Sequence, residues 1–138
     1  MMKFNHFGIL TSHPMRMLNF YIKKLGFKKE YQTILPKEVI YPIFRIPEAC
    51  AMVKLGKFDI GLEIFWFENY RPNPNTTKTC AYNHIGVEVE NKEKFCKRLA
   101  DKFRVRVIKV SRGSHYAYFI QDPDKNLIEI KQENRLRR

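Results

Sequence analysis

Tyr82-Asn83-His84-Ile85-Gly86-Val87 is the stretch on which the fold turns, because Phe4-Asn5-His6-Phe7-Gly8-Ile9 sets out the same order of residue types. Both copies read aromatic, Asn, His, apolar, Gly, aliphatic. Self-similarity at a fixed spacing marks a duplicated structural unit. The histidines stand 78 positions apart (84 minus 6), which leaves room for one module with a helix and several strands before the second copy starts. The chain reads as one fold unit written twice.

Outward from the first copy, residues 3–10 place Phe4, His6, Gly8 and Leu10 on one side and Asn5, Phe7 and Ile9 on the other, the period of a strand. Thr11-Ser12-His13-Pro14 follows as a helix start, with a hydroxyl cap and a proline in the first turn, where no backbone donor is missed. Met17, Leu18, Tyr21, Ile22 and Leu25 recur at helical spacing, and Gly26 is placed to close that helix. Phe27 to Thr33 reads as a strand; beyond Pro36, Tyr41 to Ile46 and Ala51 to Leu55 read as two arms of another, interrupted near Pro47-Glu48. Asp59 to Phe67 is a further strand, with Ile60, Leu62, Ile64 and Trp66 on one face and Gly61, Glu63, Phe65 and Phe67 on the other.

Asn69 to Thr79, rich in Pro, Asn and Thr, is the expected linker. Its Asn75-Thr76-Thr77 sequon carries no weight in a cytoplasmic protein. The second module repeats the plan. A strand from Tyr82 to Glu90 leads to Asn91 as helix cap, and Phe95, Cys96, Leu99, Ala100 and Phe103 form the buried face of the helix. Strands at Val105 to Val110, His115 to Gln121 and Leu127 to Lys131 follow, the last two joined by the turn Asp122-Pro123-Asp124-Lys125-Asn126. The organisation is thus one domain over 1–138, with module one at 3–68, a linker at 69–80 and module two at 81–132.

Composition sets the bounds. A chain of 138 residues, 44% hydrophobic and 14% aromatic, is long enough for one buried core and has no apolar run near the ~20 residues a membrane helix needs. The N-terminus enters a strand pattern directly, without the apolar run and cleavage site of a signal peptide, so a cytoplasmic location is expected. Cys50, Cys80 and Cys96 are odd in number and widely spaced, which points to reduced thiols rather than a disulfide framework or a thiolate metal site. The net charge of +12 is spread over both halves, with small clusters at Lys23-Lys24, Lys28-Lys29 and Arg135-Leu136-Arg137-Arg138. No nucleic-acid motif accompanies it, so a solvated basic surface is expected rather than a specific nucleic-acid partner.

Each module supplies one His on its first strand and one acid in its last: His6 and Glu63, then His84 and Glu129. The two Glu are 66 apart (129 minus 63), 12 short of the His spacing, so module one carries an insertion near Lys37 to Lys57. Singly, such a His is usually a satisfied core residue and such a Glu the partner of a surface Lys or Arg. All four together change the reading: equivalent positions of pseudo-symmetric halves give two imidazoles and two carboxylates, a mixed N/O donor set for a divalent metal.

With Asn5-His6-Phe7-Gly8 and Asn83-His84-Ile85-Gly86 opening the modules, and Phe119-Ile120-Gln121-Asp122-Pro123-Asp124-Lys125-Asn126-Leu127-Ile128-Glu129 closing the second, nearly the whole chain resembles the vicinal oxygen chelate superfamily. That group holds glyoxalase I, bleomycin-resistance and fosfomycin-resistance proteins, extradiol dioxygenases and methylmalonyl-CoA epimerase. The resemblance implies an α+β fold of two βαβββ modules forming a cup-shaped mixed sheet. It also implies His6, Glu63, His84 and Glu129 as metal ligands in the manner of metal-binding glyoxalase I, with Glu129 the catalytic base and Glu63 its counterpart. Nickel, zinc, cobalt, manganese or iron would suit such ligands.

Where glyoxalase I enzymes hold glutathione with an Arg late in the first strand and an Asn just after the strand-four Glu, this chain has Leu10 and Phe67, with Asn69 in a different register. The resemblance therefore carries the metal site further than it carries glutathione. Phe65, Phe67, Tyr116, Tyr118 and Arg45 are candidates for the substrate pocket; His13 and His115 are expected at the surface or behind the ligands. The function implied is a divalent-metal-dependent lyase or isomerase that stabilises the enediolate of a small α-oxo or hemithioacetal substrate. A small-molecule-binding resistance protein without turnover is the alternative, and an iron dioxygenase is a more distant one. A homodimer is expected, with modules paired within one chain or exchanged between two.

Overall fold

Alternation of apolar and polar residues makes the strands, and one apolar face per sheet then has to be covered by a helix. The computed structural model describes residues 4–72 and 84–133, so Tyr82 and Asn83, the sequon, Cys80 and the C-terminal arginines lie outside the described residues. The chain divides into two compact units, Met1–Thr77 and Lys78–Arg138.

The first unit runs β1 (His6–Leu10), α1 (Pro14–Asn19), β2 (Lys28–Leu35), α2 (Lys37–Phe44), β3 (Cys50–Lys57) and β4 (Ile60–Phe67), with α1 continuing into a π-helical turn at Phe20–Lys24. Its sheet has the order β1-β4-β3-β2, with β1 parallel to β4 and the remaining pairs antiparallel. Leu62 and Ile64 of β4, with Val53 and Leu55 of β3, are fully buried on one face, and α1 packs on β4 with Met17, Phe20 and Tyr21 buried. Each such side chain removed from water contributes about 1.5–3 kcal/mol, enough to fix which face of β4 turns inward. Glu63 consequently falls on the opposite face.

Two expectations are corrected in this unit. Residues 41 to 46 are not a strand arm: Lys37–Phe44 is helical, with Pro36 at the N-cap, Glu38 in the first turn, and Arg45 ending it at φ 59°. The alternation of Val39, Tyr41 and Ile43 imitates a strand. Buried Ile40 instead docks the helix on Phe67, Ile46 and Cys50. At α1 the hydroxyl does not cap the helix. His13 is the N-cap, and Thr11 Oγ1 accepts the His13 amide one turn earlier, at 2.9 Å. Gly26 closes the helix as expected, at φ +79°, and Lys57 Nζ donates to the Leu25 carbonyl beside it.

The second unit repeats the plan as β5 (His84–Val89), α3 (Lys92–Phe103), β6 (Val107–Arg112), β7 (His115–Gln121) and β8 (Leu127–Gln132), in the order β5-β8-β7-β6 with β5 parallel to β8. Asn91 Oδ1 accepts the Lys94 amide at 2.9 Å and caps α3, whose Cys96 and Leu99 are buried. The turn into β8 is tied by Asp122: Oδ1 accepts the amides of Asp124 and Asn126 at 2.9 Å, and Oδ2 accepts the Asn126 side chain at 2.8 Å. Lys125 takes the left-handed conformation there, at φ 65°. Each unit is thus a βαβββ module with a four-stranded mixed sheet, and the fold class is α+β. No helix among the described residues is long and apolar enough to cross a membrane.

Candidate metal centre

Register, rather than proximity in sequence, brings each His to its Glu. β1 lies parallel to β4 with His6 opposite Gly61 and Gly8 opposite Glu63. In the second unit β5 lies parallel to β8 with His84 opposite Leu127 and Gly86 opposite Glu129. Each carboxylate therefore rises beside a glycine of the neighbouring strand, and the His two residues earlier reaches it along the same face. His6 Nε2 stands 2.8 Å from Glu63 Oε2, and His84 Nε2 stands 3.5 Å from Glu129 Oε2. Side-chain exposure is 17% for Glu63 and 15% for Glu129, so both carboxylates are largely withdrawn from water. Such groups need a partner.

The first pair has a further support. His6 Nδ1–H donates to Asn5 Oδ1 at 2.6 Å. This bond engages Nδ1 and leaves Nε2 as the ring nitrogen turned to the carboxylate. Nε2 then faces a carboxylate oxygen 2.8 Å away, and a ring nitrogen and a carboxylate oxygen are stable so close only with a proton or a cation between them. A divalent ion bonded at about 2.0–2.2 Å to an imidazole nitrogen and a carboxylate oxygen sets those atoms roughly 3 Å apart for a near-right angle, and wider for a tetrahedral one. The 2.8 and 3.5 Å separations fall in that interval. The donor chemistry of both pairs fits a borderline divalent metal. Among the described residues, no group of three or more His, Cys, Asp and Glu forms a metal cluster; the donors come as these two pairs, one to a unit.

The pocket candidates fall in different places. Phe65 lies on the Glu63 face, half-buried, with its ring edge 3.2 Å from where a Cβ on Gly8 would stand. Phe67 is a core residue packed with Ile40, Ile46 and Cys50, and Phe44 joins it to Phe65 through ring contacts at 5.7 and 5.2 Å. Arg45 is exposed at the end of α2, over the Tyr41 ring. Tyr118 pairs with Ile130 on the face of β7 that turns to α3, where Lys92 Nζ stands 5.6 Å from its ring, so it lies across the sheet from Glu129. Tyr116 lines a cavity of about 160 Å³ at the splayed ends of β7 and β8, with Glu129, Lys131, Lys92 and His115. His13 is exposed at the start of α1.

Two residues on the site faces escaped the sequence reading. Phe119 is directly across from Glu129, and its ring stands edge-on to His84 with centroids 5.4 Å apart. Lys54 is directly across from Glu63. The alternation of β7 offered a signal for Phe119, since it is out of phase with Tyr118; for Lys54 only the pairing of β3 with β4 supplies one. Two thiols stand apart from this chemistry. Burial pushes Cys50 up to about 11, helped by the Glu48 charge, and burial pushes Cys96 up to about 11 as well. Both are inert, structural thiols.

Residues 3–130 match the model of the Glyoxalase/Bleomycin resistance protein/Dioxygenase superfamily. No curated protein matches the chain. Among solved structures, a glyoxalase family protein from Enterococcus faecalis superposes with a TM-score of 0.72 at 21% identity, over 93% of this chain and 95% of that one. The trypanothione-dependent glyoxalase I of Leishmania major gives 0.67 at 20% identity, over 96% and 88%. An antibiotic-binding protein from Streptomyces sp. CB03234 gives 0.62 at 18% identity, over 97% and 98%. At these identities the likeness is one of fold.

Proposed function

Because the chain belongs to the Glyoxalase/Bleomycin resistance protein/Dioxygenase superfamily, whose model spans 3–130, we propose that it is a divalent-metal-dependent, glyoxalase I-like lyase or isomerase acting on a small α-oxo or hemithioacetal substrate. The superfamily contains both enzymes and non-catalytic binding proteins, so the reading rests on the site. One observation carries it: each unit sets a His Nε2 against a Glu Oε2, at 2.8 and 3.5 Å, at matched positions of its sheet. His6, Glu63, His84 and Glu129 are the ligands this function requires.

A divalent ion held by these residues supplies Lewis acidity, lowering the cost of the negative charge that develops on two adjacent substrate oxygens as a neighbouring carbon loses its proton, giving an enediolate. The chain's own residues do the rest. Glu129 takes and returns that proton through a carboxylate oxygen, and Glu63 is its counterpart in the other unit. His6, oriented by Asn5, and His84, braced by Phe119, keep their Nε2 atoms turned to those carboxylates. Phe65 and Phe44 keep water from the Glu63 face. The ligand types suit nickel, zinc, cobalt, manganese or iron. Leu10 and Phe67, at the positions that hold glutathione in glyoxalase I, argue for a substrate held without the contacts of that tripeptide. A homodimer in the cytoplasm is part of this reading, consistent with two buried, unpaired thiols.

The fold likeness to an antibiotic-binding protein favours one second reading, capture of a small molecule without turnover. Metal analysis of the purified protein, followed by methylglyoxal turnover with and without glutathione, separates the two. Bound metal with turnover that Glu129→Ala abolishes supports the enzyme. Tight small-molecule binding with no turnover under any metal assigns the second reading.

A further inference from the structure

The two halves of the candidate site differ in what faces the Glu, beyond the change from Phe65 to Lys131, whose Nζ stands 3.9 Å from Glu129 Oε1. In both units the Glu has a glycine beside it on the parallel strand, Gly8 for Glu63 and Gly86 for Glu129. Across the antiparallel strand, however, Glu129 meets Phe119, whereas Glu63 meets Lys54. Residues directly opposite in an antiparallel pair have Cβ atoms about 4.5–5.5 Å apart on one face, so a Lys and a Glu so placed ordinarily form an ion pair. Here they do not. Glu63 Oε2 turns to His6, and no ion pair joins Lys54 to Glu63 among the described residues.

The ammonium has instead been carried toward the histidine. Lys54 Nζ lies 3.0 Å from the point a Cβ on Gly61 would occupy, and His6 Cβ lies 2.9 Å from the same point. Lys54 is half-buried in mid-sheet, where a cation is costly to keep without an anion. The carboxylate across is engaged with His6, which leaves the ammonium, set near the Asn5 carbonyl and His6, open to a counter-charge that binds on this face.

We propose that Lys54 anchors an anionic oxygen group of the substrate, and that the substrate class is therefore a carboxylate-bearing compound with two adjacent chelating oxygens. This rests on the metal-site reading above and specifies what that site accepts. Lys54 is a binding residue for the substrate's charge; it takes no part in proton transfer.

The test uses the full chain, loaded with Zn²⁺ or Ni²⁺, and two probes that chelate through the same hydroxamate oxygens: acetohydroxamate and the carboxylate-bearing succinomonohydroxamate. Calorimetric titration reads binding rather than turnover. The wild-type protein is expected to bind the carboxylated probe about tenfold more tightly, the scale of one charge-assisted hydrogen bond near a surface. Lys54→Met should bind both probes equally, with an unchanged Tm as the control for folding, and Lys54→Arg should retain most of the preference. No preference in the wild type, or a preference that survives in Lys54→Met, overturns the inference while leaving the metal site standing. Failure of acetohydroxamate itself to bind the loaded wild type overturns the metal reading and the inference with it.

Discussion

Removal of the Asn5 side chain tests how the first histidine is prepared for a metal. Asn5 Oδ1 receives the Nδ1–H of His6 at 2.6 Å, and this bond leaves Nε2 as the nitrogen that faces Glu63 and can ligate once deprotonated. In Asn5→Ala the proton is no longer held on Nδ1, and the neutral ring redistributes toward the tautomer whose Nε2 is protonated, which cannot ligate. Loss of such an outer hydrogen bond costs 10–100-fold in metal affinity. The His6 side chain is 41% exposed, so water replaces part of what Asn5 supplies and the loss should sit at the lower end, about tenfold, or about 1.4 kcal/mol. The assay is titration of the metal-stripped protein with Zn²⁺ against a chelating competitor, with the ¹⁵N shifts of the imidazole nitrogens reporting the tautomer. Asn5→Asp keeps an acceptor in place and should restore the affinity. An Asn5→Ala protein that binds metal within twofold of wild type, with the Nδ1-protonated tautomer intact, would refute the reasoning.

Three other outcomes follow from the same geometry. In Gly61→Ala the new Cβ meets the Asn5 carbonyl oxygen at 2.7 Å and His6 Cβ at 2.9 Å, neither of which can swing away. Overpacking of about 1–3 kcal/mol should lower Tm by about 3–4 °C per kcal/mol, and an unchanged Tm in a thermal scan speaks against the β1–β4 register. Asn91→Ala removes the acceptor of the Lys94 amide and should cost about 1 kcal/mol, read as a lower urea midpoint at unchanged slope. The buried thiols of Cys50 and Cys96 are raised in the folded chain from 9.0 to about 11. Their stabilising effect is complete below pH 9 and is lost as pH rises through 11, because the unfolded chain ionises first; up to about 2 kcal/mol per thiol should disappear over that window. Urea titrations at pH 8, 9.5 and 11 check the sign, and a stability that rises with pH would contradict it.

The fold and the His–Glu pairs are legible in the sequence because one signal is redundant. The Asn-His-x-Gly stretch occurs twice, and each copy is followed by a strand with a lone mid-strand acid, so period-2 alternation alone puts each His and Glu on sheet faces. What alternation cannot supply is register. Nothing in the order of residues says that Gly8 stands opposite Glu63, or that Lys54 stands on its other side, because those pairings follow from how β1 and β3 slide along β4. Phe119 and Tyr118 are adjacent and face opposite sides of β7 by alternation, while which of them meets Glu129 is set by the β7–β8 register. The helix at Lys37–Phe44 was hidden by exposed Val39, Tyr41 and Ile43, which blur the helical stripe and alternate like a strand, and by Pro42 inside it. Its one decisive buried contact, Ile40, is tertiary. The Asn5 bond to His6 had a signal that went unused: Asn precedes His in both copies.

The proposed function requires His6, Glu63, His84 and Glu129 as ligands of a divalent metal. Calorimetric titration of the metal-stripped wild type with Ni²⁺ and Zn²⁺, beside Glu63→Gln and Glu129→Gln, tests it most directly. The account predicts tight binding by the wild type and a loss of at least a hundredfold in each variant, since each carboxylate is a proposed ligand. Absence of binding by the wild type, or full affinity in either variant, would contradict it.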